Sequence, residues 1–175
     1  MDFSSPPVFW TAYISSNLVA LLMLLSSWKK PAVARFLYFL LFGWASIVNH
    51  RTATYTPEVY QEYADYAILP FYRSFILGWF TGHITTTVNT IAAVQLFISL
   101  SMWGKGWFFK AGAICGIVFL VAIAPLGLAS AIPATLMMAF GLWLLLRHLH
   151  IRYLWHTLFK EVSVNGDRFS DDSTS

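Results

Sequence analysis

The run Trp107–Arg147, WFFKAGAICGIVFLVAIAPLGLASAIPATLMMAFGLWLLLR, carries two charged side chains, Lys110 and Arg147. A membrane-crossing helix needs roughly 20 apolar residues, so this run is too long for one crossing. Pro125 and Pro133 interrupt it, and a proline inside a helix removes a hydrogen bond and clashes with the preceding turn. The run therefore divides into two crossings, 107–126 and 132–148, joined by a tight turn. The whole chain has the same character. Its 175 residues are 58% hydrophobic and 18% aromatic, and 11% are charged. A soluble domain carries about 25% charged residues, and a small one leaves too much surface to hide this many apolar side chains. Disorder and an ordinary soluble enzyme are excluded, and an integral membrane protein remains.

Working outward towards the N-terminus, 71–103 is a third apolar stretch. At about 1.5 Å per residue it would be roughly 50 Å long as one helix, more than the hydrocarbon core needs. Residues 32–49 and 7–27 complete a set of five crossings. The first of these could be mistaken for a signal peptide, but with no basic residue before it and no small-x-small site after it, it is read as a retained span. The fold class is an all-α membrane helical bundle in a single transmembrane domain over 1–160. The polar remainder, 161–175, is expected to be a disordered tail.

The few charges supply a topology. Lys29, Lys30 and Arg35 lie between the first two crossings, Lys105 and Lys110 between the third and fourth, and Arg147, Arg152 and Lys160 after the fifth. The opposite connections carry only Arg51 and Arg73. Basic residues gather on the cytoplasmic side, which predicts an outside N-terminus and a cytoplasmic C-terminus in a bacterial inner membrane. The net charge of +3 is read in this way, as topology and attraction to anionic lipid headgroups, not as nucleic-acid affinity. His148, His150 and His156 fall in the same basic segment and lack the i, i+4 spacing of helical metal ligands. Trp10, Trp28, Trp103, Trp107 and Trp155 stand near span ends, as an interfacial aromatic belt would place them. The lone Cys115 excludes an internal disulfide, a CxxC pair and a zinc cluster.

The outer segment between the second and third crossings is the most informative connection. Thr56 suits an N-cap, Pro57 a first helical position and Glu58 a first turn. Val59, Tyr60, Tyr63, Ala64, Ala67 and Ile68 recur at helical spacing opposite Glu58, Gln61, Glu62 and Asp65. That pattern predicts an amphipathic helix over 57–68, ended by Pro70. It is either an interfacial helix or a lid over an outward-facing pocket, with Arg51 and Arg73 paired to Glu62 or Asp65.

The third crossing is unusually polar. His83, Thr86, Thr87 and Thr90 share one face, and Thr81, Thr85 and Ser99 lie nearly opposite, flanked by Asn89 and Gln95. This predicts a central helix. Serine and threonine can bond back to their own helix, whereas His83, Asn89 and Gln95 need partners on other helices. Gly43, Ser46, Asn49 and His50 line one face of the second crossing and complement it. The candidate pocket residues are therefore Asn49, His50, His83, Asn89 and Gln95 from the spans, with Tyr60, Tyr63 and Arg73 from the outer segment. His50 and His83 are open to two readings, as hydrogen-bonded packing residues or as the walls of one outward cavity. Two histidines on different helices are thin grounds for a haem. Gly112 and Gly116 form a GxxxG pattern, read as close helix packing. No catalytic residue or metal set stands out, and no independent catalytic activity is expected.

Several segments together resemble the DoxX-like membrane proteins. They are Arg35-Phe36-Leu37-Tyr38-Phe39-Leu40-Leu41-Phe42-Gly43, then Pro57-Glu58-Val59-Tyr60 with Ala64 and Leu69-Pro70-Phe71-Tyr72-Arg73. Lys105-Gly106, Lys110-Ala111-Gly112, Val118-Phe119-Leu120 and Ala124-Pro125-Leu126-Gly127 complete the pattern. The resemblance covers about residues 33–150. It implies a four-helix core with residues 1–30 as an extra N-terminal helix. It also implies a link to membrane redox chemistry, as a non-catalytic subunit or quinone-site protein with a redox partner or self-association. Gln95 stands where the family pattern has an acid, and a neutral amide cannot relay protons. The alternatives are a binding or transport protein for a small amphipathic molecule, or a structural assembly factor.

Overall fold

Proline supplies four of the helix starts, where its missing N–H would have had no partner anyway. The computed structural model describes residues 6–126 and 132–147. Its helices are α1 (Pro6–Lys29), α2 (Pro31–Tyr55), α3 (Tyr63–Tyr66), α4 (Pro70–Phe75), α5 (Ile84–Ser101), α6 (Gly106–Ile123) and α7 (Ala134–Arg147). Pro6, Pro31, Pro57 and Pro70 open α1, α2, a 3-10 helix (Pro57–Glu62) and α4. No strand occurs among the described residues. By length and composition, Trp10–Lys29, Pro31–Tyr55, Pro70–Ser101 and Gly106–Leu126 can each cross a membrane, and Ala134–Arg147 is a shorter apolar helix.

The long helices close a ring. α1 packs on α2 and α7, α2 on α5, α5 on α6, and α6 on α7, with the α2–α5 interface the most extensive. The core inside it is built from Met23, Tyr38, Phe42, Ile98, Met102, Phe109, Leu142 and Leu145. The surface differs from that of a soluble protein, and polar groups join the apolar core. Trp44, Val118 and Leu22 are each more than 60% exposed, while Ser27, Arg35, Ser46, Gln95, Ser99 and Ser101 are buried. Large apolar surface outside and hydrogen-bonding groups inside suit lipid as the solvent. Gly112 and Gly116 let helices meet closely. A Cβ at Gly112 would lie 1.7 Å from Ser101 Oγ, and one at Gly116 would lie 2.7 Å from Leu142.

Hydrogen bonds sort the two ends of the ring. Arg35 lies inside α2, buried, and not in a connection as its place among the topology charges suggested. Its guanidinium donates to the carbonyls of Met102 (2.5 Å) and Gly104 and lies over the Phe109 ring, 4.5 Å from its centroid. Those carbonyls end α5, where no helical partner remains. The α1–α2 and α5–α6 junctions, with Lys29, Lys30, Lys105 and Lys110, therefore share one end. At the other end, Tyr13 Oη donates to Ile132 O (2.5 Å), Tyr72 Oη to Ala122 O (2.6 Å) and Ile68 N to Pro125 O (3.0 Å).

Several expectations are corrected. The second crossing runs on to Tyr55. The third is not one straight helix: between α4 and α5 the chain passes through a π turn (Ile76–Phe80), non-helical at Gly78, and a 3-10 turn (Thr81–His83). A stretch longer than the bilayer is accommodated here by a bend. The 57–68 segment is not one helix either. Its 3-10 opening passes into α3, and Ala67 is already extended. Thr56 makes no side-chain cap. Nor is α5 central, because Thr85, Thr86, Thr90, Ala93 and Phe97 all face outwards. Thr90 meets its need locally, donating to Thr86 O (2.9 Å). The 127–131 turn, His148, His150, His156, Trp155 and the 161–175 tail lie outside the described residues.

Candidate functional site

A cavity of about 370 Å³ occupies the half of the ring away from the α1–α2 and α5–α6 junctions. Its walls come from α2 (Leu41, Phe42, Ala45, Asn49), α5 (Thr87, Val88, Ile91, Gln95), α6 (Phe119, Leu120, Ala122, Ile123) and α7 (Thr135, Met138). The outer segment closes it with Tyr60, Tyr63, Tyr72, Phe75, Ile76 and Phe80. α1 contributes no described residue to it. The volume falls within the range of small-molecule sites, which are mostly apolar with a few placed polar groups.

Those polar groups form a chain. Tyr60 Oη donates to Asn49 Oδ1 (2.8 Å), and Asn49 Nδ2 donates to Gln95 Oε1 (2.8 Å). α2 presents Asn49 because the helix continues past residue 49 and carries that side chain onto the face against α5. The outer segment delivers Tyr60, which is buried with Ala53, Ala64, Ile76, Phe80, Ile84 and Val88. Tyr63 stands edge-on to Tyr60, ring centroids 5.7 Å apart. Burial, the neighbouring Tyr63 and, against them, a hydrogen bond with Thr52 set the Tyr60 phenol, pushed up to about 12. Burial, then Glu62, raises the Tyr63 phenol. Both phenols remain neutral donors at ordinary pH.

The structure thus brings Asn49, Tyr60, Tyr63 and Gln95 to one cavity, and places the other candidates elsewhere. His50 is exposed and paired with Asn89, Nδ1 to Oδ1 2.7 Å. An amide oxygen only accepts, so the proton sits on His50 Nδ1. His83 is also exposed. Its Nδ1 donates to Trp79 O (2.8 Å), and its ring stacks on Trp79 at 4.3 Å and 9°. His83 lines a separate surface cavity of about 230 Å³ with Glu58, Gln61 and Thr86, and His50 lines neither cavity. The two histidines therefore do not form one cavity wall: α2 turns His50 towards Asn89, and the 3-10 turn before α5 turns His83 back onto Trp79. Arg73 is exposed and lines neither cavity. Arg51, Glu62 and Asp65 are exposed too, and no ion pair joins these charges among the described residues. Among the described residues these charges therefore do not join the outer segment to the spans as an electrostatic lid.

Sequence reasoning missed the far wall, Phe119 and Leu120 of α6 with Thr135 and Met138 of α7. Thr135, a lone hydroxyl just after Pro133 in an apolar span, was the available signal. No family model matches the chain, and no match to it was found among curated proteins or solved structures.

Proposed function

We propose that this chain is a membrane-embedded binding protein for a small, largely apolar molecule. The supporting observation is the outer cavity: about 370 Å³, walled by four helices and the outer segment, largely apolar, with the Tyr60–Asn49–Gln95 chain and the side chains of Tyr63, Thr87 and Thr135 among its walls. Among the described residues no Asp, Glu, His, Lys, Arg or Cys lines it, so it offers no nucleophile–base pair and favours binding over catalysis. The DoxX-like resemblance rests on its sequence motifs. It makes a quinone the first ligand to try, and a non-catalytic place in a redox assembly the corresponding role. In this reading the chain sits in a bacterial inner membrane with its basic end cytoplasmic and against anionic headgroups, and the cavity opens towards the outer half.

Organic extracts of the purified protein, analysed by mass spectrometry, test the proposal. Ala45, a half-buried wall residue, supplies the control. A co-purifying apolar molecule that is lost in Ala45→Phe supports binding. No co-purifying molecule, together with no thermal shift on adding decylbenzoquinone, overturns it.

A further inference from the structure

The direction of the hydrogen bonds in the cavity decides which head group it accepts. Tyr60 Oη has donated its proton to Asn49 Oδ1, and Asn49 Nδ2 has donated to Gln95 Oε1. Each bond occupies one lone pair of the next residue's amide oxygen. The amide end of Gln95 is left over: its Nε2 makes no hydrogen bond, although the residue is 4% exposed and lines the cavity. An amide NH₂ is a pure donor. The Tyr63 hydroxyl, on the same cavity, also has no partner. Both donors face the cavity rather than being sealed in the packing, and the Thr135 hydroxyl on the far wall is buried without a hydrogen bond. An apolar occupant that cannot accept from these groups would leave them unsatisfied, which is costly. No ionised side chain among the described residues lines the walls to neutralise a charge.

We infer that the cavity selects neutral molecules with a hydrogen-bond-accepting oxygen, of the ketone, quinone, ester or amide kind, which Gln95 Nε2 holds with help from Tyr63. This rests on the binding reading above and narrows it. Carboxylates and ammonium groups are rejected, because a buried charge without a counter-charge is strongly disfavoured. Selection comes from the mismatch: a ligand of the same shape without the oxygen leaves the donors unsatisfied.

A matched set of probes tests this in detergent-purified full-length protein. Benzophenone carries the acceptor, diphenylmethane has nearly the same shape without it, and benzoylbenzoate adds a carboxylate. The expected result is that benzophenone binds about three- to tenfold more tightly than diphenylmethane, the range of one net neutral hydrogen bond. Benzoylbenzoate is expected to bind at least about tenfold more weakly than benzophenone. The preference over diphenylmethane should collapse in Gln95→Met, which keeps the length and removes the donor. Tyr63→Phe removes a hydroxyl that has no partner, so it is expected to fold even where Gln95→Met does not, and to reduce the same preference. Equal binding of benzophenone and diphenylmethane to the wild type overturns the head-group inference and leaves the cavity reading standing. A preference unchanged in Tyr63→Phe and in any folded Gln95→Met also overturns it, as does equal binding of benzoylbenzoate. No binding of any probe overturns the cavity reading itself.

Discussion

The two ends of this bundle handle buried polarity in opposite ways. At the basic end, one long side chain from α2 reaches across to the carbonyls that close α5, and small residues bring backbones together. Arg35 bonds Met102 and Gly104, and Gly112 admits Ser101. The Arg35 bonds run to backbone carbonyls, and the helices meet closely beside them. At the opposite end polar side chains meet each other, Tyr60 with Asn49 and Asn49 with Gln95, beside an open cavity. Backbone-directed bonds make a closed structural joint. A side-chain chain that ends on an unmade donor makes a site.

The sharpest way to break this comparison is Arg35→Leu. It leaves the carbonyls of Met102 and Gly104 without their charged donor and should cost about 3 kcal/mol, read as a lowered unfolding midpoint in detergent. Arg35→Lys should recover only part of the loss, since an ammonium lacks the flat guanidinium that lies over the Phe109 ring. Next is Gly112→Leu, which forces α6 away from Ser101 and should cost about 2 kcal/mol. Gly82→Ala, where an added Cβ meets nothing within 4 Å, should change stability by less than about 0.5 kcal/mol. If both glycine variants behave alike, the contrast between a close-packed end and an open end fails.

Asn49→Leu tests the cavity end. It severs both bonds of the polar chain and should cost about 1 to 2 kcal/mol in the apo protein, while abolishing the benzophenone preference because Gln95 is no longer held in one sense. The smallest effect is expected from pH. The Tyr60 phenol is raised from 10.0 to about 12, so the unfolded chain releases this proton first. Its contribution is complete below about pH 10 and is lost as pH rises through about 12. Melting temperature should therefore be insensitive to this group at neutral pH and fall on the alkaline side, less steeply in Tyr60→Phe.

Much of the fold was legible in the chain. Five apolar runs, prolines at their starts and the asymmetry of Lys and Arg all act locally, because a helix in lipid must satisfy its backbone within its own residues. The bend at 76–83 was not legible, since the hydrophobic run through Gly78 continues without interruption. The candidate pocket was legible for Asn49, Tyr60, Tyr63 and Gln95, polar or aromatic residues on faces the helical period turns inwards. It was not legible for His50 and His83. Periodicity gives a face but not a partner, and each histidine found one within reach, on Asn89 and on Trp79.

By itself the sequence determined the solvent of this protein, the number of apolar runs and which end carries the positive charge, because composition and spacing decide those one helix at a time. Only the tertiary structure decided that Arg35 is a clamp, that α6 and α7 form the far wall of a cavity, and that Gln95 ends a hydrogen-bond chain with its donor free. Those facts depend on which helices become neighbours and how deep each sits, and that is set by packing among residues far apart in the chain.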